Sequence, residues 1–294
     1  MPKNCPYCVL DNLDSFVSPK IVRFGLYNRT SDGKCVQRFR CLACRKSFST
    51  ATFSACFRQK KRHKNDQLRR LLSSCVSQRR AAFQLNLNRT TVIRKFLFLG
   101  MWAELKLSEM NRGSRKAASI EFDDLETFEH TKCKPLSVTL AVEFKTRRIL
   151  GFRVSQMAAK GLLVKKAQKY GWRPDLRSMS RASLFSEIRD LVAEDAIIKS
   201  DLNPHYKNDV ERFFPKASYF QFEGKRGSIT GQGELKKTRF DPLFSLNQTC
   251  AKLRADVNRL VRRTWCTTKK PDRLHMHLAI YAVFHNEVFA GTKI

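Results

Sequence analysis

The sequence predicts a multidomain chain: an N-terminal cysteine-knuckle ribbon, an α-helical module and a C-terminal α/β domain built on a mixed sheet. Three observations predict it. Two Cys-x-x-Cys pairs, Cys5–Cys8 and Cys41–Cys44, bracket a basic, strand-like segment. Apolar residues then recur at helical spacing between Asp66 and Leu99. From Ile120 onward the pattern changes to short alternating runs interleaved with amphipathic stretches. The expected divisions are 1–56, 57–110 and 111–294.

The ribbon is the strongest element. Each knuckle sets two thiols on one tight turn, and two knuckles together make the four-sulfur tetrahedron of a structural zinc site. Strand-like stretches at Lys20–Tyr27 and Val36–Arg40 lie between them. The segment therefore reads as a zinc ribbon with Cys5, Cys8, Cys41 and Cys44 as ligands. A single Cys-x-x-Cys would fit a redox pair, but two flanking a short basic segment do not. Cys35 has no partner at knuckle spacing. The chain holds ten cysteines and begins without an apolar signal core. Thiols in such a setting are expected to stay reduced or to bind metal in a cytoplasmic compartment.

Charge narrows the partner. Fifty-seven Lys and Arg face 26 Asp and Glu, a formal net charge of +31 over 294 residues. Self-repulsion on that scale favours a polyanionic partner. Nucleic acid is the first candidate and an anionic membrane surface the second. The sequence has no apolar run of about 18 residues that would span a bilayer.

The helical module opens on a basic run, Phe57 to Arg70, in which Lys60, Lys61 and Arg62 are candidates for phosphate contact. Leu68, Leu71 and Leu72 mark the apolar face of a first helix. Ser77 caps a second, Ser77–Gln84, with Ala81 and Ala82 packing. Asn86 suits a left-handed turn. Arg89 to Leu97 then reads as a recognition helix, and the three helices as a helix-turn-helix. Val92, Ile93 and Phe96 are expected to face inward, leaving Arg89, Thr90, Thr91 and Lys95 free to reach DNA. Residues 100–118 are expected to form a connector with its breaker at Asn111–Ser114.

In the last domain, Ile120–Asp123, Leu136–Val142 and Ile149–Val154 read as three antiparallel strands. Lys160–Ser180 looks like an insertion. Arg181–Glu194 is expected to be a helix, Ala196–Asp201 a buried strand, Tyr206–Phe214 a helix and Ser218–Phe222 a strand. Two further helices are expected at Ser245–Trp265 and Arg273–Asn286. This order matches a ribonuclease H-like fold, which sets an acid on the first strand beside an acid ending the fourth. Here those are Asp123 and Asp201. Paired carboxylates on neighbouring strands can hold divalent metal for in-line phosphoryl transfer, and magnesium is the expected ion. Alternation puts Asp124 and Glu126 on the face opposite Asp123. His205 and His277 read as possible neighbours of the site, with a structural role the commoner one for such histidines.

These stretches resemble bacterial insertion-sequence DDE transposases of the short zinc-ribbon kind. The resemblance runs through Arg38–Ser49, Val76–Arg80, Asn88–Val92, Phe122–Phe128, Ser200–Asp201 with Tyr206, and then Leu253-Arg254, Arg259-Leu260, Arg262–Trp265 and Thr268-Lys269. It covers nearly the whole chain. It implies binding of the element's terminal repeats, then magnesium-dependent strand cleavage and strand transfer into target DNA. It also implies a homodimer or higher oligomer on DNA and a nucleoid-associated location. Asp123 and Asp201 would be the first two magnesium ligands. The family's third acid stands seven residues before the Arg of Leu253-Arg254, and here that position is Asn247. An Asn offers a carbonyl oxygen but no charge. Asn247 also fits a helix-start role. Glu234, in a glycine-rich stretch 33 positions after Asp201, is the alternative third ligand. The departure at Asn247 leaves a second reading open: a catalytically degenerate DNA-binding protein or regulator derived from a transposase.

Overall fold

The computed structural model describes residues 2–10, 20–30, 32–223, 241–261 and 265–290. The chain divides into two compact units, Met1–Gln67 and Leu68–Ile294.

In the first unit a short helix α1 (Pro6–Leu10) precedes an antiparallel sheet of β1 (Ile21–Arg29), β2 (Lys34–Cys41) and β3 (Ser47–Ser49), in that order. The β1–β2 register breaks between Arg23 and Leu26. Gly25 sits in the break at φ 73°, a conformation that glycine adopts without the steric cost of a Cβ. The buried core is small: Cys5, Phe39, Cys41 and Phe48, with the two phenylalanine rings 6.0 Å apart.

The division between units falls within α2 (Lys64–Leu72). Leu68 and Leu72 are fully buried in the second unit. α3 (Gln78–Gln84) begins at Ser77, whose hydroxyl accepts from the Arg80 N–H. Asn86 adopts φ 50°, the left-handed conformation that turns the chain into α4 (Arg89–Arg112). Asn88 caps α4 by accepting from the Thr90 N–H. The expected connector at 100–118 is instead mostly helix. Ala103 and Leu107 continue the buried face, and nothing breaks the helix before Gly113. α4 lies against α9 (Pro271–Val288) so closely that a Cβ on Gly100 would stand 2.6 Å from Met276 Cβ.

The sheet of the second unit comprises β4 (Ala117–Phe128), β5 (Pro135–Glu143), β6 (Ile149–Gln156), β7 (Val192–Asp201) and β8 (Ser218–Phe222). Its order is β6-β5-β4-β7-β8. The β4–β5 and β5–β6 pairs are antiparallel; β4–β7 and β7–β8 are parallel. Between β6 and α6 (Arg177–Ile188) lies a short helix α5 (Leu163–Ala167), and α7 (Tyr206–Phe213) joins β7 to β8. Phe122, Leu184, Phe185, Tyr206 and Val210 share one core, which packs α6 and α7 on one face of the sheet. Leu125, Val138, Leu140, Leu246 and Leu278 belong to the other, with α8 (Phe244–Asp256) and α9. Among the expected bounds that shift are two helix ends. The helix expected to end at Glu194 stops at Ile188, because Val192 and Ala196 are drawn into the sheet and buried there. The helix expected to run to Trp265 ends at Asp256; Val257 turns extended, and both it and Leu260 bury in the core. Among the described residues no helix is long and apolar enough to cross a membrane.

Candidate active site and metal centre

The sheet brings Asp123 and Asp201 together. Glu121 on β4 is in register with Lys199 on the parallel neighbour β7. Two positions further along each strand stand Asp123 and Asp201, close enough that the charge of Asp201 acts on Asp123. Both lie in the central pair, where the parallel and antiparallel halves of the sheet meet.

Each aspartate is held differently. Asp123 Oδ1 accepts from its neighbour's backbone, Asp124 N–H, at 2.7 Å, and from the Tyr206 hydroxyl at 3.2 Å. Burial, reinforced by the charge of Asp201, pushes the Asp123 carboxyl up to about 6. Asp201 is raised too, chiefly by burial. Its Oδ1 is buried and has no hydrogen-bond partner among the described residues. Two partly desolvated carboxylates side by side repel each other and favour either a proton or a cation between them. The donor set, all carboxylate oxygen, suits a hard divalent ion such as magnesium.

Around this pair is a layer of groups that hold it in place. Tyr206, at the start of α7, is 1% exposed, and its ring lies 4.9 Å from that of Phe122. Arg181 on α6 is 2% exposed; its guanidinium sits 4.8 Å over the Tyr206 ring, bonds Asp209 at 2.5 Å and lies 3.6 Å from Asp124. Asp124 also accepts from the Thr139 hydroxyl on β5. It is thus tied up by structural partners, as expected of a residue alternating with Asp123. Replacing Arg181 by leucine would leave Asp124 and Asp209 without their counter-charge. We expect a loss of about 3–5 kcal/mol, read as a lower denaturant midpoint.

Glu121 was not visible as a site residue in the sequence. It is fully buried on the same side of β4 as Asp123, and its Oε2 accepts from the Leu246 N–H in the first turn of α8, at 2.8 Å. Burial pushes it up to about 7. A carboxyl at a helix N-terminus satisfies otherwise orphaned N–H groups. Glu121 therefore fixes where α8 starts across the sheet. The Ser245 hydroxyl, which accepts from the Lys145 N–H, anchors the same turn. The sequence signal was the alternation Glu121-Phe122-Asp123, which puts both acids on one face.

The α8 residue whose titration Asp123 influences is Cys250, a thiol pushed up to about 12 by burial and by that carboxylate's charge. Asn247, one turn earlier, is exposed and its amide donates to Asp241 at 2.9 Å. Glu234 lies outside the described residues. His277 is 1% exposed and bonds the Leu72 carbonyl at 2.9 Å, with burial pushing it down to about 4, so it serves the helical core. His205 is exposed just before α7.

At the other candidate centre, the four sulfurs of Cys5, Cys8, Cys41 and Cys44 all lie within 4.8 Å of one another. The Cys5–Cys44 and Cys8–Cys41 separations are 3.6 and 3.8 Å. A zinc ion with bonds of about 2.3 Å in a tetrahedron spaces its sulfurs about 3.8 Å apart. The cluster therefore fits zinc in both donor type and size. Burial and adjacent thiols push Cys8 up to about 12. Burial also works against Cys41, but backbone N–H groups of Cys44 and Ala43 bring it down to about 7. Among the described residues no other group of three or more His, Cys, Asp or Glu is placed to hold a metal.

Of the expected DNA contacts, Arg89 and Thr90 are exposed at the start of α4, and Thr91 is half-buried. Lys95 is corrected: it is 3% exposed, while Ile93, expected inward, is 37% exposed. Helical periodicity explains the exchange, since 92, 95, 96, 99 and 103 share one face and 93 stands outside it. Lys60 and Lys61 are exposed, whereas Arg62 is half-buried with its Nε 4.0 Å from Asp32.

No protein-family model matches this chain, and no curated protein matches it.

Proposed function

We propose that the chain is a DNA transposase whose second unit cuts and joins DNA strands at Asp123 and Asp201. The observation that carries this reading is the meeting of those two acids on adjacent parallel strands at the centre of the sheet. The strand order and directions are those expected of a ribonuclease H-like domain, and they support it. The net charge of +31 favours a polyanionic substrate. On this reading the four-cysteine cluster is the structural zinc site of a ribbon. α2 to α4 form a helix-turn-helix with Arg89 and Thr90 at its reading end, and Lys60 and Lys61 add phosphate contacts. The element's terminal repeats and a target duplex are the partners.

Asp123 and Asp201 would hold magnesium, which when bound supplies positive charge to stabilise the attacking and leaving oxygens of an in-line displacement. The chain's own groups keep the carboxylates in place. Tyr206 donates to Asp123 and so lowers the cost of its ionised form. Arg181 neutralises Asp124 beside it, and Glu121 fixes the helix that closes the site. The hydroxyl that attacks is water in cleavage and a DNA 3′ hydroxyl in joining.

Asn247 favours a second reading. It stands where the resemblance puts a third acid, and its amide is engaged by Asp241. A chain with only two carboxylates would bind metal weakly and could act as a DNA-binding regulator instead. The two readings separate in one experiment: magnesium-dependent nicking and joining of DNA that carries the flanks of the protein's own gene. The transposase reading requires both products. Binding of the flanks without either product establishes the regulator.

Sequence reading by α4 is tested separately. Arg89→Ala is expected to weaken binding to those flanks by about 1–3 kcal/mol, while Lys60→Ala and Lys61→Ala weaken all duplexes alike and flatten the salt dependence. Titration by fluorescence anisotropy at several salt concentrations reads both. Unchanged affinity of Arg89→Ala for the flanks removes α4 from the interface.

A further inference from the structure

A cavity of about 580 Å³ opens at the outer edge of β6, two strands from β4 and its Asp123. Its size is in the range of about 300–1,000 Å³ usual for ligand pockets. The walls come from α4, α6 and α9, all in the second unit. Leu107, Leu150, Phe152 and Ala279 give it a buried apolar lining. Glu104, Glu187 and Asp190 give it three acids. On a chain with 57 basic residues against 26 acidic ones, that concentration of acid is a local exception.

The lining leaves two of its polar groups unmatched. Arg153 is committed to Glu187, and Arg112 donates to the Ser108 hydroxyl at 2.9 Å. Glu104 stands 3.4 Å from His275 Nε2. Burial and the charge of Arg153 push His275 down to about 4, so at pH 7 it is neutral and gives Glu104 no counter-charge. Burial raises the Glu104 carboxyl; Arg153 offsets part of this and Glu187 adds to it. Asn111 is the second, independent sign of a ligand. It lines the cavity and is 2% exposed. Its Nδ2 donates to the Leu150 carbonyl at 2.8 Å, while its Oδ1 is buried with no partner among the described residues. Such an acceptor is costly until a donor reaches it.

The helix sets the distance between these two groups. Glu104, Leu107, Ser108 and Asn111 lie along one side of α4. Seven residues separate Glu104 from Asn111, about 10 Å at 1.5 Å per residue. The wall therefore carries an anion at one end, an open acceptor at the other and an apolar stretch between. A bare metal ion does not fit, because among the described residues these acids are not grouped to hold one. A hydrocarbon stem with a nitrogen donor at each end does fit. We propose that the cavity binds an aliphatic chain with an ammonium at one end and an N–H donor at the other. The ammonium meets Glu104 beside Glu187, the second donor meets Asn111 Oδ1, and the methylenes pack on Leu107 and Phe152. A free diamine has this chemistry, and so does a lysine side chain with its own backbone amide in a protein partner. The site stands independently of the transposase reading.

The test is isothermal titration calorimetry of the full chain without DNA, at about physiological ionic strength. The titrants are cadaverine, pentylamine and acetyl-lysine methylamide. Cadaverine should bind saturably, one per chain, and pentylamine about tenfold more weakly or worse, since it has no second donor for Asn111. Glu104→Gln should weaken cadaverine by about tenfold or more. Glu211→Gln, an exposed acid on α7 outside the cavity, should leave it unchanged. Both altered side chains are exposed, and circular dichroism verifies the fold. Acetyl-lysine methylamide binding as tightly as cadaverine assigns the cavity to a lysine of a protein partner; weaker binding assigns it to a free diamine. No saturable binding of either, or a Glu104→Gln variant that binds like the parent, overturns the site. Pentylamine binding as tightly as cadaverine overturns the two-ended ligand.

Discussion

Replacing Cys41 by serine is expected to unfold the N-terminal ribbon and leave the second unit folded. The ribbon's buried core is Phe39, Phe48 and two of the four cysteines themselves. So little apolar surface cannot offset the entropy of ordering three strands and their turns. A metal bound by four thiolates can, because structural zinc contributes about 10–16 kcal/mol to folding in small modules. Cys41 is fully buried, ends β2 and pairs in register with Ile21 on β1, so its loss removes a ligand that is also part of the sheet. The checks are zinc content by elemental analysis and limited proteolysis of both proteins. The parent should carry one zinc and protect its first 60 or so residues, about the length of the first unit. The variant should lose the metal and be cut there, while a fragment from Leu68 onward persists. A Cys41→Ser protein that is metal-free and as protease-resistant as the parent contradicts the role of the cluster.

Asp123→Asn is expected to act in opposite directions on activity and stability. The folded-state pKa of Asp123 is about 6, above its ordinary 3.8, so the folded chain favours the protonated acid. The penalty for ionising it is absent below pH 4, grows between pH 4 and 6 and is complete above that. Metal-free stability should therefore fall as pH rises through this window, by about 2–3 kcal/mol for a shift of this size. Asparagine carries no charge to desolvate. At pH 8, without magnesium, Asp123→Asn should be more stable than the parent by up to about that amount, and its pH dependence should flatten. Strand cleavage should disappear. Magnesium should stabilise the parent and not the variant, and its hold on the parent should weaken below pH 6 as protons compete. Urea melts at pH 4.5 and 8, with and without magnesium, read all of this. A variant destabilised at pH 8 in the absence of metal contradicts the assignment of a strained, cation-seeking carboxylate.

Much of this architecture was legible because its signals are local. The two knuckles named the cysteine cluster; alternation located β4 and placed Asp123 opposite Asp124, while a run of strand formers and a polar turn located β5 and β6. Ser77 and Asn86 marked α3 and the turn after it through cap and left-handed preferences that depend on the residue alone. The misreadings share a different cause. Lys95 and Ile93 stand two positions apart on α4, and which of them turns inward depends on the phase of the helix against α9, a tertiary fact. α8 stops at Asp256 because Val257 and Leu260 find burial elsewhere, not because a breaker intervenes. Glu121 and Arg181 read as ordinary strand and helix charges. Their importance comes from the helix start and the buried acids they meet across long stretches of sequence. Asn247 was placed by counting back from Arg254, whereas the described contact of its side chain is to Asp241.

The central claim is that Asp123 and Asp201 together perform metal-dependent chemistry on DNA. The most direct test is a strand-transfer assay with magnesium, on DNA carrying the gene's own flanks, comparing the parent with Asp201→Asn. The account predicts cleaved and joined strands from the parent that vanish when magnesium is chelated. It predicts neither product from Asp201→Asn, although that variant binds the flanks as tightly as the parent. Cleavage that survives chelation or proceeds at the parental rate in Asp201→Asn would contradict it, as would a parent that binds the flanks and yields no product.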